Sequence, residues 1–195
     1  MKGSSFTRGR GTHEVAQRAL GHEILDWLRT IVIGGACAAF VILFIAQSYV
    51  VEGSSMDPNM RDRDRLLVEK VSYRLHEPRR GDVVVFRTES EALIKRVIAV
   101  PGDTVLIKDH GVYVNGIRLE EDYLNDRMIA YRQIGPLTVP EDQYYVLGDN
   151  RNVSWDSRDP TLGLVKAETI VGRALVRYWP LTRVGIIQAF RPYGE

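Results

Sequence analysis

The sequence predicts a mainly β protein in which a single N-terminal transmembrane helix precedes an antiparallel β-sheet domain. Three observations lead to this fold class. Residues 30–51 form a run of 22 residues without a charged side chain. Short segments rich in β-branched residues, separated by Gly, Pro, Asn and Asp, fill much of the remaining chain. No helical crossover pattern separates these segments, which favours antiparallel pairing over a parallel sheet.

The uncharged run Thr30–Val51 is long enough for a membrane-spanning helix. At a rise of about 1.5 Å per residue, 22 residues cover roughly 33 Å, which matches a hydrocarbon core of about 30 Å. A buried core helix is usually shorter, and a cleavable secretory signal has a shorter apolar core nearer the N terminus. A retained membrane anchor therefore fits this run better than either alternative.

The N-terminal arm, residues 1–29, carries five basic and three acidic residues. By the positive-inside rule this arm stays in the cytoplasm, so residues 52–195 are expected on the outer side of the membrane. Within the arm, the apolar residues of segment 14–28 fall along one helical face. This pattern predicts an amphipathic helix that lies on the inner membrane surface.

The outer domain contains short apolar runs that predict β-strands. They are Leu66–Val68, Val83–Phe86, Leu93–Val100, Thr104–Ile107, Val112–Val114, Tyr144–Leu147 and Ile170–Tyr178. Between Val114 and Ile117 stands the dipeptide Asn115-Gly116. Because Asn and Gly accept positive φ angles, this dipeptide predicts a two-residue hairpin turn.

The composition argues against two classes of protein. The chain has 26 basic and 25 acidic residues, without the excess or patch of positive charge that nucleic-acid binding usually needs. The only cysteine, Cys37, lies in the uncharged run and excludes an internal disulfide or a thiolate metal cage. The four histidines lack metal-ligand spacing. We therefore expect no metal, no organic cofactor and no nucleic-acid partner.

The first polar cluster after the uncharged run is Glu52-Gly53-Ser54-Ser55-Met56-Asp57-Pro58. A chain spans at most about 3.6 Å per residue, so Ser55 lies within roughly 14 Å of the end of the run. A reaction at the Ser55 hydroxyl would therefore take place at the membrane surface. The alternative interpretation is an ordinary Ser/Gly/Pro turn that leaves a helix.

A lysine interrupts the apolar segment Ala92–Val100. Alternate residues of a strand share a face, so one face must bring the ammonium group of Lys95 into apolar surroundings. Burial disfavours the charged form and lowers the pKa, which makes a lysine usable as a general base. The alternative is a sheet edge at which Lys95 and the neighbouring Arg96 extend to water.

A third cluster, residues 148–158, concentrates Asp, Asn, Ser and Arg directly after an apolar strand. This density indicates a hydrogen-bonded loop in which Asp156 and Arg158 can pair, although a solvated surface turn would have a similar composition. The chain has no Gly-x-Ser-x-Gly elbow, and the residue three positions after Ser55 is Pro58 rather than lysine. Serine chemistry would therefore need a distant lysine.

Taken in order, these clusters resemble the sequence boxes of the bacterial type I signal peptidases, membrane-bound serine proteases that use a Ser-Lys dyad. The resemblance covers about Val51 to Pro180. The matching boxes are Ser55-Met56-Asp57-Pro58, Arg80-Gly81-Asp82-Val83-Val84-Val85-Phe86, Ile94 to Asp103, and Gly148-Asp149-Asn150-Arg151 with Ser154 and Asp156-Ser157-Arg158. It implies an antiparallel β-sheet catalytic domain of the signal peptidase I type.

The resemblance also implies roles for individual residues. Ser55 is the expected nucleophile, Lys95 the general base, and Ser154 the hydroxyl that orients the lysine. The oxyanion is expected to bind the backbone N–H of Ser55 and, since Gly53 has no side-chain hydroxyl, a backbone N–H at that position. Asp156 and Arg158 are expected to form a supporting salt bridge. Walls of the shallow substrate pockets are expected from Val51, Met56 and Ile94.

A few positions depart from the family pattern. Asn59 stands where threonine is usual, Arg63 where glycine is common, and Asn152 where aspartate is frequent. The stretch Asp159-Pro160-Thr161-Leu162-Gly163 alters a usual aromatic-Gly segment. These departures affect loops and leave the proposed dyad intact.

The function that follows is removal of N-terminal signal peptides from secreted precursor proteins at the outer membrane surface. The protein is then expected to be a single-pass protein of the bacterial plasma membrane, with precursor proteins and the lipid bilayer as its partners. The alternative is a membrane-anchored, β-rich binding or assembly module without catalysis, which would need neither Ser55 nor Lys95. A cytosolic self-cleaving repressor with related chemistry would lack the anchor and carry a DNA-binding module.

Overall fold

The computed structural model describes residues 27–124 and 133–190. Most of the predicted cytoplasmic arm, including all but the end of the predicted amphipathic helix, lies outside these residues. The chain divides into two compact units, residues 1–43 and residues 44–195. Each unit is described by itself.

Residues 27–40 form helix α1, and a π-helical turn follows at Val41–Ile45. In the part of the chain that the structure describes, no helix combines the length and the hydropathy needed to cross a bilayer. The predicted helical span is also wrong at its end, because Ala46–Val50 form strand β1. These residues pair with a later strand, and the half-buried Tyr49 packs against the core of the domain. Apolar character alone did not separate a helix from a strand here.

The larger sheet of the second unit has the strand order β1-β2-β11-β3-β4-β9-β10, and β12 pairs with β11. Its strands are β1, β2 (Arg65–Glu69), β3 (Val83–Arg87), β4 (Ala92–Ala99), β9 (Gln143–Leu147), β10 (Val165–Lys166), β11 (Ile170–Trp179) and β12 (Gly185–Ile186). A short helix, α2, spans Ser72–Leu75. The paired strands are antiparallel throughout, which confirms the predicted antiparallel, mainly β domain.

A smaller antiparallel sheet has the order β7-β6-β5-β8. Its strands are β5 (Thr104–Lys108), β6 (Gly111–Val114), β7 (Ile117–Arg118) and β8 (Ile134–Thr138). The predicted hairpin is confirmed, because Val114 pairs with Ile117 and the turn residues Asn115 and Gly116 have φ angles of 53° and 81°. The sequence did not predict β8, whose Gly-Pro dipeptide is unusual within a strand.

Strand β4 is buried on both of its faces. On one face, Val97 belongs to a core cluster with Val84 and Phe86. On the other face, Ile94 belongs to a second cluster with Val85. This double burial explains why the strand is a nearly continuous apolar run, and it places any polar side chain of β4 inside the protein.

Candidate active site

Ser55 lies in a turn that directly follows β1, and hydrogen bonds hold this turn at both ends. At its start, the Val51 N–H donates to the Asp64 carbonyl at 2.8 Å, and the Arg63 N–H donates to the Val51 carbonyl at 2.8 Å. At the serine itself, the N–H of Asn150 donates to the Ser55 carbonyl at 2.9 Å. The backbone of Ser55 is therefore attached to the polar loop that follows β9.

Lys95 lies in the interior of the larger sheet. Strand β4 pairs with β3 on one side and with β9 on the other, and Lys95 is directly opposite Val84. Its side chain is 3% exposed, as is that of Arg96. The alternative of a sheet edge with both cations in water is therefore wrong.

The fold brings Ser55 and Lys95 together across 40 positions of sequence. The Nζ atom of Lys95 donates to the Oγ atom of Ser55 at 2.9 Å. Burial lowers the pKa of Lys95, and the charges of Asp156, Glu91 and Asp149 offset this shift only in part. A lysine with a lowered pKa provides a neutral amine more readily, and such an amine can take the proton of an adjacent hydroxyl.

Ser154 lies close to this pair without the hydrogen bond that the resemblance implies. Its hydroxyl oxygen is buried and has no hydrogen-bond partner among the described residues. The predicted contact with Lys95 is thus absent from the structure, in which the ammonium group points to Ser55 instead. An unpaired buried hydroxyl is uncommon in proteins, and the Ser154 hydroxyl can therefore still form a hydrogen bond with a further polar group.

Gly148 separates Ser154 from the nucleophile turn. A Cβ atom added to Gly148 would lie 2.2 Å from the Ser154 Oγ atom and 2.5 Å from the Ser55 carbonyl oxygen. Both distances are far below van der Waals contact. Only glycine therefore allows the loop and the Ser55 turn to approach this closely.

Gly53, the expected second oxyanion donor, already has an acceptor for its backbone N–H. This N–H donates to the Oδ1 atom of Asp62 at 2.9 Å. Gly53 has a φ angle of 81°, a conformation that glycine adopts without strain. An oxyanion that used this N–H would have to displace the Asp62 carboxylate.

Asp156 and Arg158 form the expected salt bridge inside the loop. Two hydrogen bonds of 2.8 Å each join the guanidinium to the carboxylate, and both side chains are buried. Asp156 also accepts the N–H of Gly148 at 3.0 Å. The ion pair therefore fixes the backbone at the glycine that contacts Ser55.

A second buried ion pair, between Arg96 on β4 and Asp149 in the loop after β9, was not predicted from the sequence. Arg96 donates two hydrogen bonds, of 2.8 and 2.7 Å, to Asp149. Asp149 also accepts from the side-chain amide of Asn59 at 2.9 Å. In Arg96, burial alone would lower the pKa, but the contacts with Asp149 outweigh it and the pKa is raised. An arginine within an apolar strand needs a buried counter-charge. The position of Arg96 in such a strand could therefore have predicted a buried acidic partner.

Comparison with known proteins identifies the family. The chain matches the family described as signal peptidase, peptidase S26, over residues 24–179. It belongs to this family.

Individual members of the signal peptidase family are similar over most of the chain. A protein named "Probable signal peptidase I-2" from Synechocystis sp. is 44% identical over 172 residues, which cover 83% of this chain and 77% of that protein. Signal peptidase I from Bacillus amyloliquefaciens is 36% identical over 169 residues, covering 83% of this chain and 91% of that protein. A crystal structure of a signal peptidase I from Enterococcus faecalis V583 aligns with 50% of this chain and 97% of that one, at 35% identity and a TM-score of 0.44.

The pocket residues expected for a signal peptidase lie together in the core. Val51, Met56 and Ile94 are buried and belong to one cluster. Because Ile94 and Lys95 are consecutive on β4, this cluster lies on the face of the sheet opposite to the lysine. Their role as walls of substrate pockets stays a prediction.

Within the described residues, no group of three or more His, Cys, Asp or Glu side chains is arranged to hold a metal ion. Ser55 contacts the amine of Lys95 and the backbone N–H of Asn150, and the Ser154 hydroxyl lies against the neighbouring Gly148. These are the groups that acyl transfer by a serine needs.

Proposed function

We propose that this family member is a type I signal peptidase, a serine endopeptidase that removes N-terminal signal peptides from secreted precursors, with Ser55 as nucleophile and Lys95 as general base. The contact of 2.9 Å between Lys95 Nζ and Ser55 Oγ carries the proposal. Burial of the lysine supports it, because a lowered pKa increases the fraction of neutral amine at neutral pH.

In the first half of the reaction, the amine of Lys95 takes the proton of the Ser55 hydroxyl. The Oγ atom bonds to the carbonyl carbon of the scissile peptide, and negative charge develops on the carbonyl oxygen. When this intermediate collapses, the C–N bond breaks and Lys95 delivers its proton to the leaving amine. The signal peptide is left as an ester of Ser55.

In the second half, a water molecule attacks the ester carbon while Lys95 takes a proton from that water. The bond to Oγ then breaks, and the proton passes from Lys95 to Ser55, which restores the enzyme. Backbone N–H groups of the Ser55 turn are the proposed oxyanion donors. The Asp62 carboxylate would leave the Gly53 N–H at this stage, since a negative group beside the oxyanion opposes its formation.

The proposal includes a membrane anchor in the apolar stretch from Thr30 to Ile45, with the N terminus in the cytoplasm and the catalytic domain outside. The absence of charge in this stretch and the basic arm before it support that orientation. A signal peptide presents its cleavage site just beyond its own apolar core. The nucleophile lies about ten residues beyond the proposed anchor, so the enzyme and its substrate would share one membrane surface, which favours their encounter.

The proposal is tested by incubating purified protein with a precursor that carries a signal peptide. Ser55→Ala and Lys95→Ala are each expected to lower kcat/KM by about 10³-fold or more, because the nucleophile or its base is lost. Matched controls are Ser72→Ala on α2 and Lys108→Ala on β5, which remove a serine and a lysine outside the site and should cleave as the unaltered protein does.

Full cleavage by either dyad variant would overturn the assignment of the dyad. If the unaltered protein leaves the precursor intact, the chain is not a signal peptidase under these conditions, and a binding or assembly role takes its place. Thermal unfolding of each variant separates loss of chemistry from loss of fold.

A further inference from the structure

A groove of about 970 Å³ lies on the catalytic domain, and the proposed mechanism does not use it. Phe86 and Ile170, from β3 and β11, line one wall. Trp155 and Leu162, from the loop after β9, line the other wall. The volume is at the upper end of the range for ligand-binding pockets, about 300–1,000 Å³, and has room for several side chains.

The first wall lies on the same face of the sheet as the catalytic lysine. Leu93 and Lys95 are two positions apart on β4 and therefore share a face. Leu93 is directly opposite Phe86, and Phe86 is directly opposite Ile170. Lys95 is directly opposite Val84, so Phe86, two positions further along β3, is its diagonal neighbour at about 7–8 Å.

The second wall continues the loop that holds the nucleophile turn. Trp155 follows Ser154, whose hydroxyl lies against Gly148 beside the Ser55 carbonyl. The indole N–H of Trp155 donates to the Thr161 hydroxyl at 3.1 Å, and Thr161 in turn donates to Asp159 at 2.7 Å. These contacts hold the ring in place while 38% of the residue stays exposed.

The expected signal-peptide pockets and the groove lie on different faces of the larger sheet. The expected pockets for the signal peptide belong to the cluster of Val51, Met56 and Ile94, on the face opposite to Lys95. The leaving amine has to reach Lys95 Nζ to receive its proton, so the polypeptide attached to that amine departs on the lysine face. The groove lies on this face.

We propose that the groove between Phe86 and Trp155 binds the polypeptide on the carboxyl side of the scissile bond, the start of the mature protein. This inference rests on the proposed function and adds a substrate region to it. The aromatic and aliphatic walls suit an apolar side chain of an extended peptide. The exposed rim carries charges of both signs, Arg87 and Lys166 beside Glu89 and Glu168, so it selects against neither acidic nor basic mature sequences.

The test uses two peptides with the same signal-peptide sequence up to the scissile bond. The long peptide continues for eight residues of mature sequence (about 26 Å when extended), and the short peptide ends in an amide directly after the first mature residue. With the full chain, kcat/KM is expected to be about tenfold higher for the long peptide, since one tenfold step corresponds to about 1.4 kcal/mol of added binding.

Variants then locate the effect. Trp155→Ala and Leu162→Ala are expected to lower kcat/KM for the long peptide several times more than for the short one. The matched control is Ile117→Ala, which removes an exposed apolar side chain of β7 in the other sheet and should alter cleavage of neither peptide. A purely structural effect of Trp155 on Ser154 would instead lower both values equally.

A measurement without variants completes the test. A free peptide with the mature sequence alone should inhibit cleavage of the long peptide competitively in the unaltered protein. The proposal is overturned by equal kcat/KM for long and short peptides, by equal losses in the variants, or by failure of the free peptide to inhibit. Cleavage of neither peptide would instead remove the proposed function on which the groove depends.

Discussion

Lys95 illustrates how a single residue acquires its chemistry from its surroundings. Its side chain is 3% exposed and lies on an interior strand. Desolvation opposes the charged form, while the nearby carboxylates favour it, and desolvation dominates. The amine therefore titrates below its ordinary pKa of 10.5 and touches a hydroxyl that can give up a proton.

This shift predicts the pH dependence of cleavage. A general base acts when neutral, so kcat/KM should rise with pH through the folded-state pKa of Lys95, with a midpoint below 10.5. Because the unfolded lysine holds its proton up to its ordinary pKa, the free energy of unfolding should also rise with pH between the lowered pKa and 10.5. Peptide cleavage measured from acid to alkaline pH checks the first statement.

Lys108→Ala should give the same profile as the unaltered protein, because Lys108 lies on β5 of the smaller sheet. An acid limb whose midpoint lies at or above 10.5 would contradict the role given to burial.

The element that organises the site is the loop after β9, from Gly148 to Arg158. It holds the Ser55 carbonyl through the Asn150 N–H, and its own shape is fixed by the buried Asp156–Arg158 pair. Breaking such a buried pair by removing one partner typically costs about 3–5 kcal/mol. The loop thus acts as a rigid support for the nucleophile turn.

Gly148→Ala is expected to lower kcat/KM by about 100-fold, since a misplacement of about 1 Å at a reacting group has an effect of this size. The added methyl group would lie within 2.5 Å of the Ser55 carbonyl oxygen and closer still to Ser154. Peptide cleavage measures the loss of kcat/KM. If the variant still binds substrate and its thermal stability is unchanged, the loss is due to the altered geometry of the site.

The matched control is Gly185→Ala, where an added Cβ atom has no neighbour within 4 Å. It should keep kcat/KM within about twofold of the unaltered protein. Equal activity of Gly148→Ala and Gly185→Ala would show that the close approach at Gly148 does not matter for cleavage.

The strands differed in how well the sequence predicted them. The longer strands of the outer domain and the Asn115-Gly116 hairpin followed from alternation, β-branching and turn residues, because these patterns reflect local geometry. Strand β1 was predicted as part of a helix. Its residues become a strand only because β2 offers a partner, and that pairing depends on residues about 20 positions away.

At the largest scale, one face of the larger sheet leaves apolar side chains exposed among the residues that the structure describes. Val50, Arg65 and Trp179 lie opposite one another in neighbouring strands and therefore share a face. Val50 and Trp179 are each 49% exposed, and Ile186 on β12 is 79% exposed. Strand β1 directly follows the proposed anchor, and Trp and Arg suit the membrane interface. We expect this face to contact the outer membrane surface.

Brominated lipids test this orientation by quenching tryptophan fluorescence on contact. The chain has three tryptophans, so two single-tryptophan proteins can be reconstituted in vesicles. W27F/W155F keeps Trp179 on the exposed face, and W27F/W179F keeps Trp155 in the groove. Lipids brominated near the headgroup should quench Trp179 more strongly than Trp155. Equal quenching, or none, would mean that another surface faces the bilayer.

The sequence by itself determined the type of chemistry and the type of fold. The short β-branched segments predicted the β domain, and the resemblance of the Ser55, Lys95 and Gly148–Arg158 clusters to the signal peptidase boxes implied the chemistry. The tertiary structure alone decided that Lys95 is buried against Ser55, that Arg96 pairs with Asp149, and that Asp62 occupies the Gly53 N–H. These contacts join residues that are far apart in sequence or in different turns, and only the packing of strands and loops sets their distances.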